Sequence, residues 1–322
     1  MKACVIGSKR RSPSTMKIFK ALKDCRRFKS VFFAPTEGIS IGVKKGKFPI
    51  FYRDKDLTNF DVVLPRIGAS KAIFGYLITR YLRNAGVYVP ISPKSILTAH
   101  DKYLTLEALN RAKIPIPETY LAMSPPSAKR VVQGLKPPIV MKLLKGSGGK
   151  GVMFSDDTQN ALALIDTLNV LQQPLFIEEY IENPGEDIRV IVLGKEVVAA
   201  MKRIAKKGEK RANLSSGGKG VSTKIDSTLK RIAIKSAKAI RAEICGVDII
   251  EDRKGPVVLE MNICPGMKIS DVTGINVPMR IANYLADKTE LYKPKEGIKK
   301  VSYYIEKELA KIPKWFLEAL EE

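Results

Sequence analysis

The sequence predicts a parallel α/β unit at the N-terminus and an α+β half behind it, and two patterns carry that prediction. In residues 1–95, short apolar runs of the buried-strand type alternate with amphipathic helical stretches, which is typical of a parallel sheet with crossover helices. Beyond them, apolar segments come in pairs joined by short turns, which is typical of antiparallel hairpins. With 322 residues, the chain is also longer than one hydrophobic core serves well, so we expect several packed units.

The N-terminal unit is predicted from three strands and two helices. A strand at residues 2–6 leads through a loop, which ends in residues 12–15, into an amphipathic helix with Ile18, Leu22 and Cys25 on one face. Two more apolar runs and one helical stretch follow, at residues 31–34, 61–64 and 71–84. We therefore expect a domain over residues 1–95 whose strands lie parallel.

Prolines at positions 90 and 93 mark the end of that domain. The helix predicted next covers residues 101–113, with Leu104, Ala108 and Leu109 inward, and it is stopped by the prolines that follow. We expect two α+β subdomains after the boundary, over residues 96–185 and 186–290, and a basic helical tail over residues 291–322.

Two hairpins are predicted in the second half, one over residues 189–203 with its turn at Gly194-Lys195 and one over residues 246–262 with its turn at residues 252–255. A helix predicted over residues 229–244 lies between them in sequence. It places an apolar stripe inward and its Lys and Arg side chains outward, and we expect that basic face to be solvated surface.

The charge balance restricts the partners without selecting one. Lys and Arg number 56 against 33 Asp and Glu, and the net charge of +23 attracts nucleic acid, anionic membranes and small polyanionic substrates. No apolar run approaches the roughly 18 residues of a membrane span, and no signal-peptide core is present, so we expect a cytoplasmic protein without membrane contact. Four well-separated cysteines and a single histidine predict neither a disulfide framework nor a zinc site.

The second hairpin carries the clearest chemical signal. Side chains alternate along a strand, so Glu260 and Asn262 point the same way, and pairing across the turn sets Asp248 opposite Glu260. Val247, Ile249, Leu259 and Met261 are expected on the other face. Two carboxylates and an amide, with no His or Cys, suit a hard cation such as Mg²⁺. A solvated outer face, on which Asp and Glu are ordinary, stays open as the alternative.

A glycine-rich turn follows an apolar strand at residues 145–151, which read Lys-Gly-Ser-Gly-Gly-Lys-Gly. Its glycines, Gly148 and Gly149 among them, would let backbone N–H groups approach phosphates, although a plain hairpin loop is the alternative. The Walker A spacing is absent, which disfavours a P-loop NTPase. Lys142 inside the preceding strand and Lys102 at the start of a helix are candidate phosphate ligands.

Two more polar groups complete the candidate set. A strand end suited to adenine or ribose contacts carries Glu178, Glu179 and Tyr180, followed by Asp187 and Arg189. A basic, glycine-bearing segment suited to anionic substrate or to developing phosphoryl charge carries Arg203, Arg211 and Asn213. Strand-end carboxylates are also common for no such reason, and that alternative stays open.

The order of these features resembles the ATP-grasp superfamily. More narrowly, five segments resemble the RimK-type α-L-glutamate ligases: Leu64-Pro65-Arg66-Ile67-Gly68, His100-Asp101-Lys102, Arg211-Ala212-Asn213-Leu214 with Gly217-Gly218, Gly246-Val247-Asp248, and Glu260-Met261-Asn262 with Pro265-Gly266. The resemblance covers residues 1–287. It implies an ATP-grasp fold, in which an N-terminal pre-ATP-grasp domain precedes two α+β subdomains that clasp ATP.

The resemblance also implies a role for each candidate residue. Lys102 and Lys142 would contact phosphates, residues 178–180 the adenine region and Asp187 the ribose. Arg211 and Asn213 would serve the phosphate and intermediate region, and Arg66 and Gly68 would shape the acceptor cleft. The ligands of Mg²⁺ or Mn²⁺ would be Asp248, Glu260 and Asn262. Cys264 stands where relatives commonly carry a small residue, which is expected to change packing and not mechanism.

The implied activity is that of an ADP-forming ligase. A carboxylate is activated as an acyl phosphate, and the amine of L-glutamate then displaces phosphate to leave an amide. The acceptor would be a protein C-terminus or a glutamyl-tailed coenzyme, and the assembly a dimer or tetramer. Two other functions stay open: a basic nucleic-acid- or ribosome-associated binding protein with a vestigial ATP site, and an ATP-grasp ligase for another amino-acid-type substrate.

Overall fold

The computed structural model describes residues 1–45, 48–143, 151–169, 174–183, 185–206, 217–253 and 255–292. The chain divides into two compact units. Of the described residues, those in Met1–Ile67, Lys71–Pro93 and 281–292 form the first, and those in Gly68–Ser70 and Lys94–Arg280 form the second. None of the helices within the described ranges has the length and apolar character that a bilayer crossing requires. The four-part domain division expected from the sequence stays a prediction.

The first unit contains a three-stranded parallel sheet, with β1 (Lys2–Gly7) between β2 (Ser30–Pro35) and β6 (Val62–Pro65). The predicted strands and their parallel pairing are confirmed. Helix α1 (Pro13–Asp24) starts where Ser12 accepts a hydrogen bond from the Thr15 N–H, with proline at its first position. Helix α2 (Ala72–Asn84) follows β6. Apolar residues of this sheet, of α2 and of a second, smaller sheet share one core, which includes Ile6, Ile50, Val63, Ile78 and Leu82.

A second, small antiparallel sheet in this unit was not predicted. It consists of β3 (Ile39–Ile41), β4 (Ile50–Tyr52) and β5 (Lys55–Asp56). Strands of two or three residues are too short to show an alternating pattern in the sequence.

The second unit begins with helices α3 (Pro93–His100) and α4 (Lys102–Arg111). An antiparallel sheet follows in the order β7 (Thr119–Ala122), β10 (Leu175–Glu179), β8 (Ile139–Leu143) and β9 (Val152–Ser155). Helices α5 (Pro125–Gly134) and α6 (Thr158–Asn169) pack against it through a core that includes Val132, Ile139, Met141, Ile165 and Ile177.

The largest sheet has five antiparallel strands. Their order is β13 (Lys219–Ser222), β12 (Glu196–Ile204), β11 (Glu186–Leu193), β14 (Ile244–Asp252) and β15 (Gly255–Asn262). Both predicted hairpins are confirmed, and they join because β11 pairs with β14. Helix α7 (Ser227–Ala239) packs against this sheet, and α8 (Lys268–Thr273) and α9 (Val277–Leu291) complete the described helices.

Two helix predictions need correction. Helix α4 starts at Lys102, with Asp101 as its N-cap, and the residues it buries are Thr105, Leu106 and Leu109. Leu104, expected inward, is 41% exposed, because the side of α4 that faces the core is the one with Leu106 and Leu109. The helix predicted to reach residue 244 ends at Ala239, because Arg241 has a left-handed backbone and Ile244 already belongs to β14.

Three further predictions fall outside the described residues. They are the tail helix, most of the glycine-rich turn, and the loop that carries Arg211 and Asn213.

Candidate active site

One face of the five-stranded sheet carries a row of charged side chains. The strand registers place Asp187 opposite Arg203, Arg189 opposite Asp248, and Asp248 opposite Glu260. The predicted facing of the two carboxylates is therefore confirmed. The residues that alternate with this row point to the other face and are buried hydrophobics: Ile188, Val190, Val247 and Ile249.

A β-bulge next to Asp248 corrects one detail of the predicted alternation. Ile249 pairs with Val258, whereas Asp248 pairs with Glu260, so Leu259 is the extra residue on β15. Val258 is fully buried, and Leu259, expected on the buried face, is only partly covered. Because Leu259 is the extra residue, the partner of Asp248 on β15 is Glu260 and not Leu259.

Two arginines hold Asp248 through three hydrogen bonds. Arg189 donates from Nε to Oδ1 at 2.7 Å and from Nη2 to Oδ2 at 2.5 Å. Arg203 donates from Nη2 to the same Oδ2 at 2.8 Å, and it also donates to both oxygens of Asp187, at 2.5 Å from Nε and 2.7 Å from Nη2. Arg203 and Asp248 are 3% and 4% exposed, so these bonds form away from bulk water and are stronger than surface pairs.

Burial and neighbouring charges shift the pKa values of the three carboxyl groups differently. Burial favours protonation of Asp248, but Arg189 and Arg203 outweigh it and lower the pKa to about 2. Burial, with the nearby Asp248 charge, raises the pKa of Asp187 to about 6 in spite of Arg203. Burial and then the Asp248 charge also raise the pKa of Glu260. Three carboxylates face two guanidinium groups, so one negative charge is uncompensated when all three are ionised. The arginines donate to Asp187 and Asp248, so the uncompensated charge is that of Glu260.

The surroundings of Glu260 test whether a cation fits. Its side chain is solvent-accessible, although enough protein surrounds it to raise its pKa. It forms no hydrogen bond or ion pair with another residue of the described ranges. The Oδ1 atom of Asn262 accepts from the Cys264 N–H at 2.9 Å and keeps a second lone pair. Two carboxylates and an amide oxygen with uncompensated charge fit a hard divalent cation.

Such a cation would need further ligands from outside the protein. Among the described residues, no group of three or more His, Cys, Asp or Glu side chains is arranged to hold a metal ion. Mg²⁺ commonly binds through one or two carboxylates together with water and substrate phosphates. The donor set fits that mode and not an all-protein cage.

The four-stranded sheet contributes a buried ion pair. Lys142 on β8 donates from Nζ to Oε1 of Glu178 on β10, and the same Nζ lies 5.7 Å from the centroid of the Phe176 ring. Glu178 is 3% exposed, and its Oε2 is buried without a hydrogen-bond partner in the described ranges. An unsatisfied buried oxygen costs about 1–3 kcal/mol, so a ligand that donates a hydrogen bond there would be favoured.

Lys102 connects the two sheets electrostatically. It occupies the first turn of α4, and its pKa is lowered by burial and by Lys142, while Glu260 and Glu178 oppose that shift. Groups from α4, β8, β10 and β15 are thus near enough to influence one another. The structure brings together the two lysines, the acidic strand end and the hairpin carboxylates, which the sequence had identified separately.

The other predicted site residues are placed as follows. Glu179 accepts a hydrogen bond from the Glu118 N–H at 2.9 Å, and the Tyr180 ring meets Phe154 edge-on at 6.1 Å between centroids. Arg66 belongs to the first unit, where its Nε donates to Thr15 Oγ1 at 3.2 Å. Gly68 has open space around it. Gly148, Gly149, Arg211 and Asn213 lie outside the described residues.

Comparisons with known proteins show the family to which the chain belongs. The RimK PreATP-grasp domain matches residues 1–96 and the RimK-like ATP-grasp domain matches residues 99–285. A probable alpha-L-glutamate ligase of Legionella pneumophila (strain Corby) is 38% identical over 237 residues, which cover 73% of this chain and 78% of that protein. A probable alpha-L-glutamate ligase of Stutzerimonas stutzeri (strain A1501) is 36% identical over 290 residues, which cover 88% of this chain and 95% of that protein.

Among solved structures, the ATP-grasp ligase PsnB complexed with a phosphomimetic variant of minimal precursor, Mg and ADP superposes with a TM-score of 0.69. It is 18% identical, and the match covers 89% of this chain and 98% of that one. At that identity the likeness concerns the fold.

Proposed function

The chain belongs to the RimK-like ATP-grasp family and is an ATP-grasp ligase, and from that premise we propose that it uses MgATP to join L-glutamate to an acidic acceptor through an amide bond. The family resemblance and the fold class drawn from the sequence are thereby confirmed. The choice of glutamate is supported by relatives named probable alpha-L-glutamate ligases, which this chain matches over most of their length. A protein C-terminus and a glutamyl-tailed coenzyme both fit the acceptor.

The observation that carries the proposal is the convergence of cationic and anionic groups in the second unit. Lys102 and Lys142 lie near enough to Glu260 to affect its pKa. Two fixed positive charges beside a hairpin that can hold a divalent cation match the needs of a bound triphosphate, whose transfer depends on positioning and charge neutralisation.

Each residue has a role in the proposed reaction. Lys102 and Lys142 bind phosphate oxygens, and Glu178 holds Lys142 in place. Asp248, Glu260 and Asn262 would hold Mg²⁺, which would supply neutralisation of charge on the phosphate oxygens. The acceptor carboxylate attacks the γ-phosphate to give an acyl phosphate and ADP, and the glutamate amine then attacks its carbonyl carbon and expels phosphate. Positioning and electrostatics suffice, so no side-chain nucleophile is needed.

Several finer assignments are part of the same proposal. Residues 178–180 and Asp187 contact the nucleoside, and Arg189 supports the nucleotide site. Arg203, Arg211 and Asn213 stabilise the transferring phosphoryl group, with Gly148 and Gly149 over the phosphates. Arg66 and Gly68 contribute to acceptor binding. We also propose a cytoplasmic location and a homo-oligomer, a dimer or tetramer.

Lys142→Met tests the phosphate contact. The variant is expected to bind MgATP about 10- to 100-fold more weakly, because a charge-assisted hydrogen bond contributes roughly 1.5–3 kcal/mol. Calorimetric titration measures the affinity. The control is Lys129→Met. It removes an exposed ion pair between α5 and α6, in which Lys129 Nζ lies 2.7 Å from Asp166 Oδ1. Because Lys142→Met leaves Glu178 buried and alone, Lys142→Met/Glu178→Gln serves as a second variant that removes the stranded charge. Unchanged MgATP affinity in both variants would refute the assigned role.

Product analysis tests the reaction itself. The protein is incubated with ATP, labelled glutamate and a cell extract, and the labelled product is identified by mass. ADP release that requires glutamate, with label joined through an amide, supports the proposal. ADP release that requires a different amino acid would show that the protein is an ATP-grasp ligase for another amino-acid-type substrate.

The exposed face of α7 favours a second function, the binding of nucleic acid. This basic face consists of Lys230, Arg231, Lys235 and Lys238, and Arg241 follows just beyond the end of the helix. All five side chains are exposed and have no ion-pair partner among the residues that the structure describes. It carries no aromatic anchor, whereas protein interfaces usually have an apolar core. A cationic face of this kind fits the phosphate backbone of a nucleic acid, and the contact would be sequence-independent.

The triple variant Lys230→Gln/Lys235→Gln/Lys238→Gln tests this face. Its affinity for a labelled oligouridylate, measured by fluorescence anisotropy, is expected to fall about tenfold or more, and the slope of log affinity against log salt by about 2, because each phosphate contact releases counterions. The matched control, Lys17→Gln/Lys20→Gln/Lys23→Gln, removes the same charge from α1. Equal losses in both variants would mean that the net charge attracts the oligonucleotide and α7 does not.

A further inference from the structure

We propose that Arg189 is a positioning residue of the metal site, which holds Asp248 so that only its Oδ1 atom is open to the cation. The inference rests on the proposed function insofar as a divalent cation binds beside Asp248 and Glu260. It adds which oxygen of Asp248 is the ligand and which side chain fixes that choice.

The hydrogen bonds of Asp248 identify the open position. A carboxylate has about four acceptor positions, two on each oxygen. Oδ2 accepts from Arg189 at 2.5 Å and from Arg203 at 2.8 Å, which fills both of its positions. Among the residues that the structure describes, the only donor to Oδ1 is Arg189 Nε, at 2.7 Å. The one position left is on Oδ1, so a cation can bind there without breaking a bond to either arginine.

The strand order places Arg189 on the side away from the cation. Asp248 lies on β14, with Arg189 opposite it on β11 and Glu260 opposite it on β15. The guanidinium therefore approaches from one neighbouring strand, while the second carboxylate comes from the other. A planar fork that binds both oxygens fixes the plane of the carboxylate, which a single-point contact does not.

Arg203 does not perform this task. It donates two of its hydrogen bonds to Asp187 and gives Asp248 only one. A single contact to Oδ2 leaves the carboxylate able to rotate about its own axis. Arg189 is thus the residue whose loss should free Asp248, and partners that orient a metal ligand typically change metal affinity 10- to 100-fold.

Arg189→Lys and Arg189→Met separate positioning from charge. If Arg189 positions Asp248, both variants bind the cation more weakly, since lysine keeps the charge but loses the fork. If Arg189 acted only through its charge, Arg189→Met would bind the cation more tightly, because a repelling positive charge is removed, and Arg189→Lys would be unchanged. The two explanations therefore predict opposite signs for the methionine variant.

The probe is Mn²⁺, followed by the electron paramagnetic resonance signal of the free ion, with the full chain alone and with ADP. We expect Mn²⁺ affinity to fall at least tenfold in both variants, and the ligase activity of Arg189→Lys to recover at saturating Mg²⁺. The control is Lys202→Met, which removes a partly exposed ion pair on the same hairpin, between Lys202 Nζ and Glu186 Oε2 at 2.8 Å. If Arg189→Met does not fold, Arg189→Lys decides alone.

The outcomes distinguish a wrong metal site from a wrong role for Arg189. No Mn²⁺ binding by the natural protein, with or without ADP, would overturn the proposed metal site and this inference with it. Normal binding by the natural protein and equal binding by Arg189→Lys would overturn the inference and leave the proposed function standing. Weaker binding that saturating metal restores would support both.

Discussion

Glu260→Gln is expected to lose metal-dependent nucleotide binding while the ligand-free protein stays as stable as the natural chain or becomes more stable. Glu260 faces Asp248 across the hairpin and forms no hydrogen bond or ion pair with another described residue. Burial and the Asp248 charge raise its pKa, so its ionised form opposes folding in the absence of a cation. Glutamine keeps the shape and removes the charge. Turnover should fall by about a thousandfold, because a catalytic metal contributes several kcal/mol.

Two measurements and one control define this test. Urea unfolding compares the free energies of unfolding without ligand, and calorimetric titration with ADP in the presence and absence of Mg²⁺ compares the affinities. Glu251→Gln is the matched control, since Glu251 lies on the same hairpin, is exposed and is assigned no ligand role. A Glu260→Gln protein that binds MgADP as the natural chain does would show that the hairpin is not the metal site.

The hairpins could be predicted because their signals are local. Turn residues at Gly194-Lys195 and at residues 252–255 separate apolar runs of strand length, and alternation assigns the faces. The small sheet of β3, β4 and β5 escaped prediction because its strands have only two or three residues. Leu104 was placed on the wrong side because periodicity alone does not fix the rotation of a short helix.

The arginine network could not be read from the sequence, for a reason that concerns register. Counting back from the turn at Gly194-Lys195, Asp187 should face Lys202. The structure has a bulge between Ile191 and Val192, which shifts the pairing so that Asp187 faces Arg203. A one-residue shift moves a side chain to the opposite face, so this bulge creates the Asp187–Arg203 pair. Bulges leave no dependable mark in a single sequence.

Arg203→Met is expected to destabilise the protein by about 3–5 kcal/mol, because it strands buried charges that were paired. Asp187 loses both of its hydrogen bonds to Arg203, and Asp248 loses one of three. Urea unfolding at pH 8 measures the loss. Lys202→Met, one residue earlier on the other face, should cost less than about 1 kcal/mol, since its pair with Glu186 is 40% and 31% exposed.

The pH dependence of that loss distinguishes stranded charge from lost packing. In the natural protein the pKa of Asp187 is raised to about 6, so its ionisation lowers stability as the pH rises from about 4, while Asp248, lowered to about 2, is already ionised there. Arg203 lowers the pKa of both Asp187 and Asp248, so its removal raises both values. The folded variant therefore keeps protons that the unfolded chain releases, and its deficit should grow between pH 4 and pH 8. Asp187→Asn added to Arg203→Met should recover part of the deficit at pH 8 and little at pH 4. A deficit independent of pH would mean that Arg203 stabilises the sheet through packing, because only ionised carboxylates need its charge.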